Sequence, residues 1–303
     1  MISISPQDLS TAKLHGYLLG AVSPRPVAFA STIDNNGDVN LSPFSFFNVF
    51  SARPPILIFS PARRGRDNTT KHSYENVLEV PEVVINIVSF EMVQQVSLAS
   101  TEYAKEVNEF KKAGFTELAS DLVSPPRVAE APVQLECKVK DVISMGKDGG
   151  AGNLVICEVV KIHLSENILD ENGAIDPYKI DTIARLGGNW YTRAKTGLFQ
   201  VPKPLTSHGI GVDMLPEEIR NSTVLTGNDL GMLGNVENFP NTEEIITFID
   251  VSEDLKKVVN SGCIETVHKK AQEFLCKGEV NEAWKLLLAE ERGKKNRDLK
   301  NRE

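Results

Sequence analysis

Over the first two hundred positions the apolar residues fall in short alternating or continuous runs with turn residues between them, the spacing of β-strands. Residues 17–33, "YLLGAVSPRPVAFASTI", read as a strand entered through Pro24 and Pro26. "DNNG" (34–37) holds an Asn-Gly pair, a hairpin-turn signal, and the strand returns through "DVNLSPFSFFNVF". "ILIFS" after Pro54-Pro55 and "VVINIVS" (83–89) predict two more strands, the second apolar on both faces. Met92, Val93, Val96 and Ala99 recur at helical spacing, and "VNEFKKAG" (107–114) predicts a short helix ending at Gly114. "APVQLECKVKDVISMG" and "NLVICEVVKIHLS" predict two long strands joined by the wide loop "KDGGAG". Strands joined by turns, without regular βαβα alternation, predict a closed or partly closed antiparallel barrel.

The pattern changes near "VPKPL" (201–205), which divides the chain into an expected β domain over 1–204 and an extension over 205–303. The extension opens rich in Gly, Asn and Pro, with a helix expected from Pro216. Ile264, Val267, Ala271, Phe274 and Leu275 share one helical face, as do Val280, Ala283, Trp284, Leu287 and Leu288. They predict a helical hairpin turning at Lys277-Gly278, followed by a charged tail, "GKKNRDLKNRE". The two apolar faces would pack on the barrel or a dimer mate, or would present a surface to a partner.

A composition of 41% hydrophobic and 24% charged residues can fill a core. The net charge of −8 removes a general nucleic-acid footprint. No apolar run reaches the roughly 18 residues of a membrane span, and the N-terminus lacks the pattern of a signal peptide. A cytoplasmic protein with four reduced cysteines (137, 157, 263 and 276) is therefore expected. A Cys137–Cys157 bridge stays open on spacing alone, against that compartment.

Motif chemistry is largely missing. There is no dinucleotide fingerprint, no phosphate-binding P-loop and no nucleophile elbow. The five histidines show no ligand-like pairing, so no metal is expected, and His163 within a strand reads as structural. Chemistry, if present, falls to an organic cofactor, and no catalytic side chain is singled out. The densest local feature is "RRGRDNTTKH" (63–72), with Arg63, Arg64, Arg66, Lys71 and His72 around Asn68, Thr69 and Thr70. It is either a solvated basic loop or a site for a phosphate monoester. A second feature is a hairpin that would bring Ser31 and Thr32 towards Ser42 and Ser45, beside aromatic rings. Those serines either cap a bulged strand or meet the polar edge of a planar heteroaromatic.

"PRPVAFASTIDNNGDVNLSPFSFFNVFSARPPILIFSP", "VVINIVS", "EYAKEVNEFKKAGF", the long hairpin and "ARLGGNWY" (184–191) follow one another in order. Over about residues 15–195 the chain resembles the flavin reductase-like, FMN-binding split-barrel family, to which flavoredoxins are related. The resemblance implies a mainly β fold, a six-stranded Greek-key split barrel with peripheral helices, usually dimeric, here with a C-terminal helical extension. It implies FMN as cofactor, with Ser31 and Thr32 at a strand end and Ser42, Pro43, Phe44, Ser45 and Phe46 along the isoalloxazine. The family's Lys-Asp-Thr phosphate motif is replaced by "RDNTTKHSYEN", which leaves the phosphate among Arg66, Asn68, Thr69, Thr70 and Lys71. The implied activity is an NADH- or NADPH-dependent flavin reductase in a homodimer. The alternatives are a flavoredoxin-like carrier fed by a protein redox partner, and an FMN-binding module without turnover. Neither a nucleic acid nor a membrane partner is expected.

Overall fold

The structure, a computed structural model, describes residues 1–201, 203–204 and 208–300. It divides into two compact units, Met1–Phe199 and Gln200–Glu303.

The first unit opens with helix α1 (Thr11–Ala21) and continues through strands β1 (Ala28–Ile33), β2 (Val39–Phe44), β3 (Phe47–Ala52) and β4 (Pro55–Phe59). Helix α2 (His72–Glu79), strand β5 (Glu82–Ile87) and helices α3 (Val93–Ala99) and α4 (Glu109–Ala113) follow. Two-residue strands β6 (Glu117–Leu118) and β7 (Arg127–Val128) pair with each other. The long strands β8 (Val133–Ser144) and β9 (Asn153–Leu164) precede a small hairpin, β10 (Ile183–Arg185) with β11 (Tyr191–Arg193).

Seven strands form one antiparallel sheet in the order β2-β1-β5-β8-β9-β4-β3. Its two edges, β2 and β3, are separated in the chain by Ser45 and Phe46 alone. That link reaches roughly 10 Å when extended, so the sheet must curl until its edges approach. No ladder joins β2 to β3 among the described residues, so the expected barrel is not closed. The sheet also has seven strands, not the six that the resemblance implies.

Strand β1 feeds two cores because successive side chains point to opposite faces. Ala28 and Ala30 join Phe44, Phe59, Ile85, Cys137 and Cys157. Phe29 faces the other way, onto Val27, Leu41, Val96 and Phe110 of the face covered by α3 and α4. Burying a side chain such as Phe29 is worth about 1.5–3 kcal/mol, and Phe29 is fully buried. Both cysteines of the first core are free thiols, and burial pushes Cys137 up to about 12.

Two expectations change here. Residues 17–21 are helical, because Ser10 caps α1 by accepting the Lys13 N–H at 3.4 Å. The strand starts only at Ala28, beyond Pro24 and Pro26, which have no amide hydrogen for a ladder. "DVNLSPFSFFNVF" is likewise two strands at opposite edges of the sheet, broken at Ser45-Phe46.

The second unit is helical: α5 (Glu217–Arg220), α6 (Gly227–Gly234), α7 (Thr242–Asp250), α8 (Glu253–Asn260), α9 (Ile264–Leu275) and α10 (Val280–Lys300). Reciprocal capping boxes start α6 (Thr226 with Asp229) and α7 (Asn241 with Glu244). Its core gathers on Trp284, whose indole N–H donates to the Leu233 carbonyl at 3.1 Å. Gly278, at φ 78°, turns α9 into α10. The helix α10 runs on to Lys300, through most of the stretch read from sequence as a tail, and residues 301–303 lie outside the described residues.

Candidate functional site

Three neighbouring cavities lie in the first unit, the outer and middle ones sharing Ile183, Arg185 and Tyr191 and the middle and small ones sharing Ser100. The middle one, about 180 Å³, is floored by Val27, Pro43 and Ser45, with Val96 and Ser100 on one side and Ile183, Arg185 and Tyr191 on the other. Ile183, Arg185 and Tyr191 also wall an outer groove of about 450 Å³ that extends to Phe90 and Arg193. Ser100 opens at the other end onto a third cavity of only about 30 Å³, lined among others by Ser42, Arg64, Lys71, His72 and Glu102.

The hairpin β10–β11 holds the outer wall. The Arg185 guanidinium lies 4.6 Å from the Tyr191 ring centre, and that of Arg193 lies 3.9 Å from the Phe90 ring centre. Asp181 accepts from Arg193 Nε at 2.7 Å and pairs with Lys195 at 2.8 Å. The Arg193 hydrogen bond, ahead of the Lys195 contact, pulls the Asp181 carboxyl down to about 2. Behind this wall the buried Arg25 donates to the carbonyls of Leu19, Val22 and Leu186, tying the end of α1 to the hairpin.

The small cavity rests on a buried polar network. Glu109 accepts from Asn40 Nδ2 at 2.8 Å and from the Leu41 N–H at 2.9 Å, and Ser73 donates to Asn40 Oδ1 at 2.6 Å. Burial pushes Glu109 above the usual carboxylate range, against these hydrogen bonds. The network pins β2, α2 and α4 together and aims the N-terminal end of α2, with Lys71 and His72, at the cavity. Burial also lowers His72, with Arg64 acting in the same direction.

The residues singled out from sequence disperse around this frame. Ser42, Pro43, Ser45 and Lys71 line the cavities. Ser31 and Thr32 are fully buried. Thr32 accepts from Asn76 Nδ2 at 3.2 Å, whereas the Ser31 hydroxyl has no partner among the described residues. Ser31 stands opposite Leu41 and Ser42 opposite Ala30, so the two serines point to opposite faces of the sheet and do not meet. Phe44 packs on Phe59 in the core, and Phe46 meets His15 edge-on at 6.1 Å.

In the basic loop, Asn68 (φ 58°) accepts from Arg63 and donates to the Lys147 carbonyl, which shapes the turn. Thr69 donates to Asp67 and Thr70 to Glu75. Arg66 extends into solvent, 74% exposed, and pairs with Asp67 and Glu102. Arg64 is the arginine that reaches the cavity, held by Thr69 Oγ1 at 3.0 Å and by the Thr70 carbonyl. Sequence reasoning counted Arg64 in the loop but not in the site, and it missed Ser100, Glu102, Glu109, Arg185 and Tyr191. Glu102 and Glu109 lie in "EYAKEVNEFKKAGF" and the last two in "ARLGGNWY", both of which the resemblance did flag.

Asp121, Glu136 and His163 also converge, with ligand-type atoms within 4.8 Å of one another. The Glu136 carboxylate already accepts from the Asp121 and Leu122 N–H groups, with His163 Nε2 at 2.7 Å, and Asp121 pairs with Lys161. These partners already engage all three side chains within the fold.

The donor set can be matched to a ligand. Arg64, Lys71 and a helix start suit a dianionic phosphate. The middle cavity joins apolar walls to the hydroxyls of Ser45 and Ser100, which suits a flat ring with a polar edge.

Comparisons with known proteins bear on the same unit. A family model described as flavin reductase like domain matches residues 20–182. A protein of Aquifex aeolicus described as uncharacterized is 40% identical over 181 residues, which are 60% of this chain and 90% of that one. The crystal structure of nitrilotriacetate monooxygenase component B from Bacillus cereus matches with a TM-score of 0.62 at 29% identity, over 66% of this chain and 98% of its own. A Shewanella frigidimarina protein with a split barrel domain matches with a TM-score of 0.57 at 24% identity, over 67% of this chain and all of its own (100%).

Proposed function

The chain belongs to the flavin reductase like domain family, and from that membership we propose that its first unit binds FMN along the linked cavities and works as an NADH- or NADPH-dependent flavin reductase. The observation that carries the reading is the change in lining between the cavities, from Val27, Val96 and Ile183 mixed with Ser45 and Ser100 in the middle one to Arg64, Lys71 and their carboxylate partners in the small one. In this reading Arg64, Lys71 and the start of α2 hold the phosphate. Ser42, Ser45 and Ser100 offer hydroxyls to the polar edge of the ring. Val27, Pro43, Val96 and Ile183 keep water off the ring, and the Arg185–Tyr191 pair walls the side towards the outer groove.

The bound flavin would supply hydride and electron chemistry that no side chain here can provide. The polypeptide contributes position and exclusion of water. The outer groove beside Phe90 and Arg193 is where we place the nicotinamide donor, lined by Arg185 and by Arg193, whose charge is shared with Asp181. The reading includes a homodimer, supported by Val49 and Phe50 on edge strand β3, exposed at 64% and 63%.

The test is the visible spectrum of the purified protein, identification of the released chromophore, and NADH and NADPH oxidation with FMN, in air and without it. Released FMN with oxidation of either donor is the expected result. A colourless protein that fails to take up added FMN overturns the reading. FMN bound without oxidation of either donor transfers the site to electron transfer from a protein partner.

A further inference from the structure

The cations at the narrow end of the site are already engaged by one carboxylate of the same chain. Glu102 Oε1 lies 3.2 Å from Arg64 Nε and 3.4 Å from Lys71 Nζ, and its Oε2 lies 3.0 Å from Arg66 Nη2. The first cause that holds the Glu102 carboxyl below the usual range is the hydrogen bond from Arg66. The cavity left beside it, about 30 Å³, has room for about one or two waters. A phosphate group is larger than that, and it would meet the Glu102 charge at close range.

Glu102 has somewhere to go. Its side chain is 41% exposed, and it sits in the connection between α3 and α4. Three residues on, Lys105 fastens that connection to Asp34 at 3.3 Å and to Glu79 at 3.8 Å. The main chain is therefore tethered by Lys105 independently of Glu102, and a rotation of the Glu102 side chain is enough to free the cations.

We propose that Glu102 is an internal competitor for the phosphate-binding cations, and that its displacement sets how far the site favours phosphorylated over unphosphorylated flavin. This rests on the flavin reading above. A ligand with a dianionic phosphate offsets the three ion pairs it breaks. A ligand without phosphate leaves Glu102 in place and is indifferent to it. Glu102 thus acts as a specificity-determining residue, with no part in electron transfer.

The experiment compares wild type with Glu102→Gln, which keeps size and removes charge at a partly exposed position, so the fold should persist. The apoprotein of each is titrated with FMN and with riboflavin. Glu102 is partly exposed in all three pairs, though Arg64 is only 14% exposed, so each pair is of modest strength and FMN should bind the variant about tenfold more tightly. Riboflavin should change by less than about twofold. Thermal stabilisation by millimolar inorganic phosphate, read without any flavin, should also be larger in the variant. Unchanged or weaker FMN binding, with riboflavin binding intact, overturns the proposal and makes Glu102 an organiser of the cations. If neither flavin binds either protein, the flavin reading itself falls. The phosphate measurement still decides the role of Glu102 in that case, since equal stabilisation of both proteins removes the competitor.

Discussion

The two ends of the proposed flavin site are built by different means. The middle cavity is made of surfaces that folding fixes for its own reasons, the β1–β2 floor, the side of α3 and the β10–β11 hairpin. The narrow end is made of long side chains on a loop, and its shape is a balance of charges among Arg64, Arg66, Lys71 and Glu102. Two carboxylates within that one cavity mark the boundary. Glu109 is buried, answered by neutral donors, and raised by burial. Glu102 is partly exposed, answered by cations, and lowered. One serves the fold, and the other, in the proposal above, gives way to a ligand. Shape that rests on burial resists change, whereas shape that rests on surface charge yields to whichever anion competes best.

The sharpest way to break this contrast is to remove Glu109. Glu109→Ala leaves the buried Leu41 N–H and Asn40 amide without this acceptor, where each unmade bond costs about 1–3 kcal/mol. Urea unfolding should show a loss of about 2–4 kcal/mol. A loss below about 0.5 kcal/mol would place Glu109 with Glu102 and erase the distinction. The pH response has a defined sign. A carboxyl raised in the folded state binds its proton more tightly there than in the unfolded chain. The part of stability that depends on Glu109 should therefore fall as pH rises from the ordinary carboxylate value through its raised one.

At the charged end, the double change Arg64→Ala, Lys71→Ala should weaken FMN by about 100-fold, given the usual strength of charge-assisted hydrogen bonds. Riboflavin should weaken by less than about threefold, since it offers those cations no charge. Stability should fall modestly, because Arg64, only 14% exposed, also holds Thr69 Oγ1 and the Thr70 carbonyl, whereas the Lys71 pair is more exposed. Isothermal titration with both ligands reads this directly. Equal losses for both would mean that the loop shapes the ring cavity as well, and that the two ends are one structure.

Much of the first end was legible in the sequence and little of the second. The Asn-Gly turn fixes the β1–β2 register, with Gly37 at φ 89°, and that register puts Pro43 on the floor. The helix before Gly114 was legible because its cap is written in the chain, with Asn108 at the start and Gly114 at φ 73° at the end. Helix α1 was not, since "YLLGAV" satisfies strand and helix patterns equally and none of its side chains is buried. The choice of Arg64 over Arg66 was out of reach for another reason. In a non-periodic loop the direction of a side chain depends on partners distant in sequence, and Glu102 lies 36 residues from Arg66. Glu102 opens a stretch that the resemblance flags, but that stretch does not say that its carboxylate will sit among three cations.

The outer wall gives a smaller test, by pH. Asp181, held at about 2 first by the Arg193 hydrogen bond, contributes stability above its ordinary value near 3.8 and loses it as pH falls through about 2. Asp181→Asn should melt below wild type at pH 6, and the gap should close as pH approaches 2. A gap that is constant with pH would mean that the side chain acts by hydrogen bonding alone, without its charge.

The smallest effect belongs to Ser45, and it separates the two ends most cleanly. Its hydroxyl lines the middle cavity at the break between β2 and β3, where the curled sheet turns from one edge to the other. Ser45→Ala removes one neutral hydrogen bond, worth about 0.5–1.5 kcal/mol, so affinity should fall by about three- to tenfold. The loss should be the same for FMN and for riboflavin, because both carry the ring and Ser45 is out of reach of the phosphate cations. A loss confined to FMN would move Ser45 to the charged end. No loss for either ligand would return its hydroxyl to the strand break, as a cap that satisfies the backbone where the two edge strands part.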